Sequence, residues 1–374
     1  MNILISGDFY ISDDFQNKDL IDQSVIDLFE NADFRIINLE APITEDKPNN
    51  KILKTGPHLR MLSDTIIPYL HQLKIDAVTM ANNHILDYGY KGVTDTFKEL
   101  VDHKIKYIGA GNDLTEAKKP LSLHKDGMKI AILNFCENEW SIAEDDSPGA
   151  NPMDIIDNTN QIREAKTSHD KVFVIVHGGH EEYNLPSPRM QKQYRFYADQ
   201  GADIIVGHHT HCISGNEVYN GVPIYYGLGN FLFTLHSTQE DWYTGLVLEV
   251  NIKDDKLTAQ IHPVGQAKNT FCLTIMSGKV KEVVFSRINY FNQIIGCDKA
   301  LQDKWEKYVI KQSRAYLNFW SPVAHIKNRY IKAILNRMKI NSTNTKTLSL
   351  YLNLMRCEAH RDVSQEVLEK KIRL

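Results

Sequence analysis

Short apolar runs rich in Ile and Val alternate, over the first two thirds of the chain, with longer segments whose apolar residues recur at helical spacing. This alternation predicts an α/β fold with a substantial sheet whose strands are buried on at least one face. Nine runs are predicted strands: NILISG, FRIINLE, DAVTMAN, KYIGAG, KIAILNF, KVFVIVHGG, DIIVGHH, VPIYYGLGN and TGLVLEVNI. Five segments are predicted helices: residues 19–31, 62–73, 91–103, 154–168 and 188–200.

The pattern changes after residue 255. Three further apolar segments, KLTAQIHPVGQ, FCLTIMSG and VKEVVFSRI, predict a short antiparallel meander, and residues 298–374 have helical spacing. We therefore predict a first domain of residues 1–255 and a C-terminal extension of residues 256–374, in which the meander is followed by helices. Because these helices carry several aromatic residues, we predict that the helices pack on the first domain or on a second copy of the chain.

Composition and charge narrow the possible functions. The chain has 374 residues, with 43 Lys and Arg against 47 Asp and Glu, so no general affinity for nucleic acid or an anionic membrane surface is expected. No apolar run reaches the ~18 residues of a membrane span, and the N-terminus lacks the basic region of an export signal. Five scattered cysteines without CxxC spacing favour reduced thiols. We therefore expect a cytoplasmic protein.

Polar residues with metal-binding chemistry lie at the ends of five predicted strands. They are Asp8, Glu40, Asn82, Asn83, His84, His177, His208, His209 and His211. In an open α/β sheet, ligands bind beyond the carboxyl ends of the strands, so these side chains are expected to converge. Carboxylates, an amide oxygen and several imidazoles in one place are typical of a metal site.

No single one of these signals is specific. An Asp after a strand, such as Asp8, is more often a turn or helix cap, and His177 before two glycines is also compatible with a half-buried structural histidine. The segment GHHTH is more informative, because His209 and His211 are two residues apart just past a strand and can both face one ion. The prediction of a metal site therefore depends on the combination of all five strand ends.

Six segments, in order, resemble one known family: SGDF, INLEAPIT, MANNHILDYG, VHGGHEEY, GADIIVGHHTH and YYGLGNFLF. They are similar to the bacterial capsule-synthesis CapA (PGA_cap) family, which belongs to the calcineurin-like metallophosphoesterase superfamily. The resemblance covers roughly residues 1–255. It implies a two-sheet α/β/β/α sandwich of the metallophosphoesterase type, with two divalent metal ions at the strand ends and, here, a mainly helical C-terminal extension.

The resemblance also implies roles for individual residues. Glu40 is the expected bridge between the two ions, and His84 is the expected acid beside the scissile bond. Tyr10 stands where the superfamily commonly has a histidine, which predicts that one ion is held more weakly. The metal ligands expected from the resemblance are Asp8, Glu40, Asn83, His177, His209 and His211.

Further residues near these motifs are candidates for catalysis or substrate binding. Asp87, three residues beyond His84, is expected either to orient that imidazole or to cap the helix that starts near Tyr90. The segment GLGNF, residues 227–231, offers backbone amides near the site. The candidate substrate contacts are Glu181, Asn82 and His208, although a structural core position is the more common reading of His208.

Imidazoles with carboxylates and an amide oxygen suit Mn, Zn or Fe(II). The predicted function is a metal-dependent phosphoesterase acting on a phosphorylated small molecule or polymer precursor, in capsule, poly-γ-glutamate or other surface-polymer metabolism. Two alternatives remain open: an amide ligase or hydrolase component acting on a γ-glutamyl polymer, and a non-catalytic, partner-binding subunit. A homo-oligomer formed through the C-terminal helices is also expected.

Overall fold

The computed structural model describes residues 1–45, 50–320, 326, 328–338 and 345–372. The remaining residues of the predicted extension (321–325, 327, 339–344 and 373–374) lie outside the described part. The chain divides into two compact units, Met1–Gln302 and Asp303–Leu374. The first unit has a mixed α/β architecture with several sheets, and the second is helical.

The strands of the described chain all lie in the first unit. They are β1 (Asn2–Tyr10), β2 (Phe34–Leu39), β3 (Ala77–Thr79), β4 (Lys106–Ile108), β5 (Ala110–Gly111), β6 (Leu121–Lys125), β7 (Met128–Cys136), β8 (Gly149–Ala150), β9 (Lys171–His177), β10 (Ile204–His208), β11 (Asn216–Tyr219), β12 (Val222–Tyr225), β13 (Asn230–Phe233), β14 (Thr244–Lys253), β15 (Lys256–Gln266) and β16 (Leu273–Ile275). The predicted strands up to DIIVGHH all contain one or two of these elements.

The helices are α1 (Gln23–Glu30), α2 (Ser63–Gln72), α3 (Gly89–Asp102), α4 (Leu114–Ala117), α5 (Ile155–Ser168), α6 (Pro188–Asp199), α7 (Gly278–Ile295), α8 (Asp298–Phe319), α9 (Arg329–Arg337), α10 (Thr345–Arg356) and α11 (Glu358–Ile372). The five predicted helices are confirmed. Local capping explains several boundaries: the Asp154 side chain accepts from two backbone amides at the start of α5, and Ser187 caps α6, whose first residue is Pro188.

Two larger sheets form the first unit. The eight-stranded sheet has the order β16-β15-β14-β1-β2-β3-β4, and β13 also pairs with β1. Strands β1 to β4 of this sheet are parallel. The six-stranded sheet has the order β11-β12-β10-β9-β7-β6, and its strands β7, β9, β10 and β12 are parallel. A separate two-stranded ladder joins β5 and β8.

Alternating side chains of β1 face two different apolar clusters. Ile3 and Ile5 belong to a cluster that also contains Val174 of β9 and Ile205 of β10, so the two larger sheets share a core. Leu4 belongs to a second cluster, which includes Phe29 of α1. Because successive side chains of β1 point to opposite faces, both faces of this strand are buried in apolar clusters.

One predicted element is wrong and another is too long. The run VPIYYGLGN is predicted as one strand, but only Val222–Tyr225 forms β12, in the six-stranded sheet, and its last residue, Asn230, begins β13, in the eight-stranded sheet. The chain turns between them, and Gly229 takes a left-handed backbone conformation (φ +67°). VKEVVFSRI, predicted as a strand, lies in α7, because its buried residues Val284 and Ile288 continue to Phe291 and Ile295 at helical spacing.

The rest of the extension follows the predicted pattern of elements. Strand β15 pairs antiparallel with β14, β16 pairs antiparallel with β15, and helices follow them. The predicted domain boundary at residue 255 stays a prediction, as does packing of the extension on a second copy of the chain. Within the described ranges, no helix has both the length and the apolar character needed to cross a membrane.

Candidate metal centre

Side chains from both larger sheets converge at the carboxyl ends of their strands. Glu40, His177 and His209 form one group whose possible ligand atoms all lie within 4.8 Å of one another. Asp8, Glu40 and His211 form a second group by the same measure. All five residues are buried. Glu40 belongs to both groups, so the described residues form two adjoining groups that could each hold a metal ion and that share one carboxylate.

The first group is built around the His177 ring. Its Nε2 atom lies 3.1 Å from Nδ1 of His209, 3.1 Å from Oδ1 of Asn83 and 3.9 Å from Oε1 of Glu40. The amide oxygen of Asn83 therefore belongs with these three residues. The structure thus brings together two imidazoles, an amide oxygen and a carboxylate, four of the predicted ligands.

The second group surrounds the His211 ring. Its Nε2 lies 3.4 Å from Oε1 of Glu40, and its Nδ1 lies 3.5 Å from Oδ2 of Asp8.

Tyr10, which stands in place of the superfamily histidine, packs its ring 5.0 Å from that of Phe233. Burial raises the pKa of the Tyr10 phenol to about 12, so the phenol stays neutral at physiological pH.

The backbone after β10 is unusual. His209 and His211 both have positive φ angles, +85° and +52°, in a region that non-glycine residues rarely adopt. Such conformations cost on the order of 1–3 kcal/mol each and cluster at functional sites. The backbone N–H of His209 donates to Oδ2 of Asp8 at 3.2 Å, which links this turn to the end of β1.

The chemistry of this donor set fits a divalent cation. Oε1 of Glu40 is a buried oxygen that has no hydrogen-bond partner in the described structure. Burial, followed by the neighbouring Asp8, raises the pKa of Glu40 well above its usual value. Burial also lowers the pKa of His177, and that of His209 to about 3. The imidazoles are therefore neutral, the form that binds metal, while the buried carboxylates lack a positive partner.

Two asparagines at this centre were missed by the sequence analysis. Nδ2 of Asn38 donates to Oδ1 of Asp8 at 2.8 Å and to Oε2 of Glu40 at 3.2 Å. Oδ1 of Asn230 lies 2.8 Å from Nδ1 of His211. Asn38 had a visible signal, because it interrupts the apolar strand FRIINLE. The GLGNF segment was noted only for its backbone amides, whereas the structure uses its Asn230 side chain.

His84 lies next to this centre and has a fixed orientation. Its Nδ1 is 2.7 Å from Oδ2 of Asp87, which is fully buried and also accepts from the backbone N–H of Leu59. Asp87 does not cap α3, whose N-cap residue is Tyr88. Burial lowers the pKa of His84, and Asp87 partly opposes this shift. Of the two expectations for Asp87, the structure supports orientation of the imidazole.

Lys54 was also missed by the sequence analysis. Its ammonium group forms an ion pair with Oδ1 of Asp87 and lies 3.2 Å from Nδ1 of His84. The Lys54 side chain is only 2% exposed, although it comes from a loop whose Leu53 is largely exposed. A lysine in a polar loop gives no sequence signal for burial, so only the fold identifies this pair.

A cavity of about 260 Å³ opens onto the centre. Its walls include the predicted ligands Asn83 and His211 together with His84, and Glu181 also faces it. The remaining lining residues are Lys54, Thr55, Gly56, Pro57, Leu59, Glu139, Trp140, Phe233, Leu235 and Trp242. Through Asn83 and His211, the cavity reaches predicted ligands associated with each of the two groups.

The other two predicted substrate contacts are not among the lining residues. Asn82 is fully buried, its Nδ2 donates to the carbonyl of Leu39 at 2.8 Å, and its Oδ1 accepts from the backbone N–H of His84. His208 is buried, and neither of its ring nitrogens has a hydrogen-bond partner in the described structure. Their roles, like those of the other site residues, stay predictions.

Comparison with known families identifies the class of this protein. The profile described as "Bacterial capsule synthesis protein PGA_cap" matches residues 3–235. The chain therefore belongs to the PGA_cap family of the calcineurin-like superfamily, which confirms the resemblance noted from its motifs.

Two relatives are similar over the same region. The "PGA biosynthesis protein CapA" of Bacillus subtilis (strain 168) is 38% identical over 221 residues, which is 58% of this chain and 58% of that protein. The "Capsule biosynthesis protein CapA" of Bacillus anthracis is 33% identical over 222 residues, 58% of this chain and 54% of that protein. The matched region thus spans somewhat more than half the length of each relative.

A "Probable polyglutamine synthesis accessory protein" of Mycobacterium tuberculosis (strain CDC 1551 / Oshkosh) is 30% identical over 212 residues, covering 53% of this chain and 55% of that protein. Among solved structures, TT1561 of Thermus thermophilus is 9% identical, with a TM-score of 0.37, and the match covers 69% of this chain and 97% of that one. Membership of the PGA_cap family rests on the family match over residues 3–235.

Proposed function

We propose that this chain is a dinuclear metal-dependent phosphoesterase that acts in capsule, poly-γ-glutamate or other surface-polymer metabolism. The observation that carries the proposal is the pair of buried ligand groups that share Glu40, next to a cavity that His84 lines. We propose the corresponding fold to be the two-sheet α/β/β/α sandwich of metallophosphoesterases.

In this proposal six residues would hold two divalent ions of Mn, Zn or Fe. They are Glu40, which belongs to both groups, and Asp8, Asn83, His177, His209 and His211. Two ions bound together lower the pKa of a shared water and neutralise charge on a phosphoryl group. Asn38 and Asn230 fix the orientations of the carboxylates and of the His211 ring, as hydrogen bonds to metal ligands commonly do.

The role proposed for His84 is transfer of a proton to the leaving oxygen of the ester. Its Nδ1 atom is held against Asp87, so the other ring nitrogen is the one available to the cavity that His84 lines. Asp87 favours the protonated imidazole, whereas burial opposes it. A histidine fixed in one orientation beside the cavity is well suited to general acid catalysis.

The test is to purify the chain, load it with Mn, Zn or Fe, and measure bound metal and hydrolysis of phosphomonoesters and phosphodiesters. We expect close to two ions for each chain and activity that a chelator removes. Metal bound without activity on any ester in the panel would contradict the proposed reaction. Unchanged metal content in both His177→Ala and His209→Ala would contradict the proposed site.

A second candidate function is amide chemistry on a γ-glutamyl polymer, either ligation or hydrolysis. The observation that favours it is the similarity to the PGA biosynthesis protein CapA of Bacillus subtilis. Including γ-glutamyl peptides in the same panel separates the two reactions, since only this candidate predicts a change in those peptides. A metal-loaded protein inactive on every compound would favour a non-catalytic, partner-binding subunit.

Partners are a separate part of the proposal. We propose a phosphorylated small molecule or polymer precursor as the substrate, and a homo-oligomer formed through the C-terminal helices. Exposed apolar residues such as Ile310, Phe319, Ile334 and Leu352 on these helices support the second point. Light scattering of the purified chain tests it, and a monomer at all concentrations would contradict it.

A further inference from the structure

We propose that the cavity selects phosphate esters of an uncharged, hydroxyl-bearing group, such as a sugar or polyol, and disfavours acidic groups such as a γ-glutamyl chain. This inference rests on the proposed function and deepens it by naming a substrate class. It follows from the charges, the aromatic residues and the volume of the cavity wall.

The charged side chains that line the cavity, histidines apart, are Lys54, Glu139 and Glu181. The charge of Lys54 is already neutralised, because its ammonium pairs with Asp87 and both side chains are almost completely buried. Neither Glu139 nor Glu181 has a Lys or Arg partner within ion-pair distance in the described structure. Apart from the candidate metal centre, the wall therefore presents to an entering molecule two carboxylates that lack a Lys or Arg ion-pair partner in the described structure.

These carboxylates line the same cavity as His211 and Asn83 of the candidate centre. Oε1 of Glu139 is 3.9 Å from Nε2 of His209, and the Glu139 side chain is 37% exposed. Glu181 itself is exposed at the opening.

A carboxylate on the substrate would be repelled by both of these side chains. A γ-glutamyl chain carries one such group on each residue, so it would meet this repulsion repeatedly. A hydroxyl group donates a hydrogen bond to a carboxylate and brings no like charge. The wall thus attracts substrates that carry hydroxyl groups and repels substrates that carry carboxylates. Selective sites commonly combine attraction of one ligand with repulsion of another.

The aromatic residues and the volume support one small ring or polyol unit. Trp140 is 40% exposed at the wall, and the ring of Trp242 lies 4.7 Å from that of His211. Their flat apolar faces can pack against the C–H groups of a sugar, while the carboxylates bind its hydroxyls. The cavity volume of about 260 Å³ is below the roughly 300–1,000 Å³ typical of pockets for drug-sized ligands, so it matches one small unit.

The test uses two esters of the same three-carbon skeleton, glycerol 3-phosphate and 3-phosphoglycerate, which differ by a carboxylate in place of a hydroxymethyl group. With the metal-loaded full chain, we expect kcat/KM to favour glycerol 3-phosphate by about 10-fold. Glu181→Gln is expected to reduce this preference to about 3-fold or less. The matched control is Glu182→Gln, an exposed neighbour that does not line the cavity and is expected to keep the preference.

Ionic strength supplies an independent readout. Because Glu181 is exposed, added salt is expected to shrink the preference of the unmodified chain and to have less effect on Glu181→Gln. A general structural effect of the substitution would change the rates on both esters by the same factor and leave their ratio unaltered. Glu139→Gln is a less clean variant, because Glu139 also lies beside the predicted ligands Asn83 and His209.

Three outcomes would overturn the inference. One is equal or greater activity on 3-phosphoglycerate, another is an unchanged ratio in Glu181→Gln, and the third is a preference for phosphoethanolamine over glycerol 3-phosphate. The third outcome would identify a cationic group as the one recognised. Failure of the phosphoesterase function is seen separately, as inactivity on p-nitrophenyl phosphate, and calorimetric binding of the same two esters then tests the charge selectivity without catalysis.

Discussion

The metal centre and the wall of the cavity opposite it are built in different ways. The side chains of the candidate centre lie at or just beyond the carboxyl ends of β1, β2, β9 and β10 and are buried, so two sheets determine their positions. The wall comes mainly from loops, and residues such as Thr55, Trp140 and Glu181 are exposed. Strands therefore position the residues proposed to carry out the reaction, while loops determine which molecules reach those residues.

The largest expected effect concerns the carboxylate shared by both ligand groups. Glu40→Ala is expected to lose both ions and to reduce phosphoesterase activity by at least roughly 10³-fold, because the ions generate the nucleophile. Metal analysis and steady-state rates measure this, with Glu164→Ala on the exposed face of α5 as the control. Full metal content in Glu40→Ala would mean that the two groups are not one centre.

His84 joins the two regions, because it follows a predicted ligand yet lines the cavity. His84→Ala is expected to keep its metal and to lose about 10²–10⁴-fold in rate on alkyl or sugar phosphates, whose leaving oxygens require a proton. The loss on p-nitrophenyl phosphate is expected to be much smaller, since that leaving group needs little help. An equal loss on both kinds of ester would rule out proton donation by His84.

The buried ion pair between Lys54 and Asp87 allows a test of whether the loop that carries Lys54 contributes to the stability of the fold. Lys54→Met is expected to lower the free energy of unfolding by about 3 kcal/mol, because it leaves Asp87 charged and unpaired in the interior. Asp87→Asn in the same chain should recover part of this loss. Urea unfolding measures both, and strictly additive losses would show that the pair is not coupled.

A matched control for that pair lies on the surface. Lys74 and Glu30 also form an ion pair, but both side chains are about half exposed. Lys74→Met is therefore expected to change the free energy of unfolding by less than about 1 kcal/mol. A loss as large as that of Lys54→Met would remove the distinction between the buried and exposed pairs.

The smallest effect expected at the candidate metal centre itself concerns a residue that orients a predicted ligand without being one. Asn230→Ala is expected to weaken metal binding by about 10–100-fold, because the His211 ring loses its hydrogen bond at Nδ1. Competition with a chelator measures this affinity, and Asn160→Ala on the exposed part of α5 serves as the control. Unaltered affinity would show that the sheets alone orient His211.

The fold was predictable where local pattern and tertiary role agree. All five predicted helices form, and the predicted ligands meet at the strand ends. VPIYYGLGN was mispredicted because an apolar run contains no information about a change of sheet, which depends on pairing of β12 with β10 and of β13 with β1. VKEVVFSRI was mispredicted because its β-branched residues favour strands, whereas burial of one helical face decided the outcome.

The site shows the same division. The carboxylates and histidines were recognisable because they occur together at five strand ends and because clustered imidazoles have no common structural role. Asn230 and Lys54 were missed because amides and lysines occur everywhere in polar segments, and Asn38 was missed although it interrupts an apolar strand. The contacts of these three residues with His211, Asp87 and Asp8 join residues far apart in the chain.

The sequence by itself determined the alternation of strands and helices, the chemistry at the strand ends and the family. These properties depend on residue type and on periods of two to four positions, which are local. The tertiary structure alone decided that Asp8 meets the backbone of His209, 201 positions away, and that Lys54 is buried beside His84. Contacts between residues so far apart in the chain depend on how strands pair and how sheets pack. Neither the pairing nor the packing is encoded in any one segment of the chain.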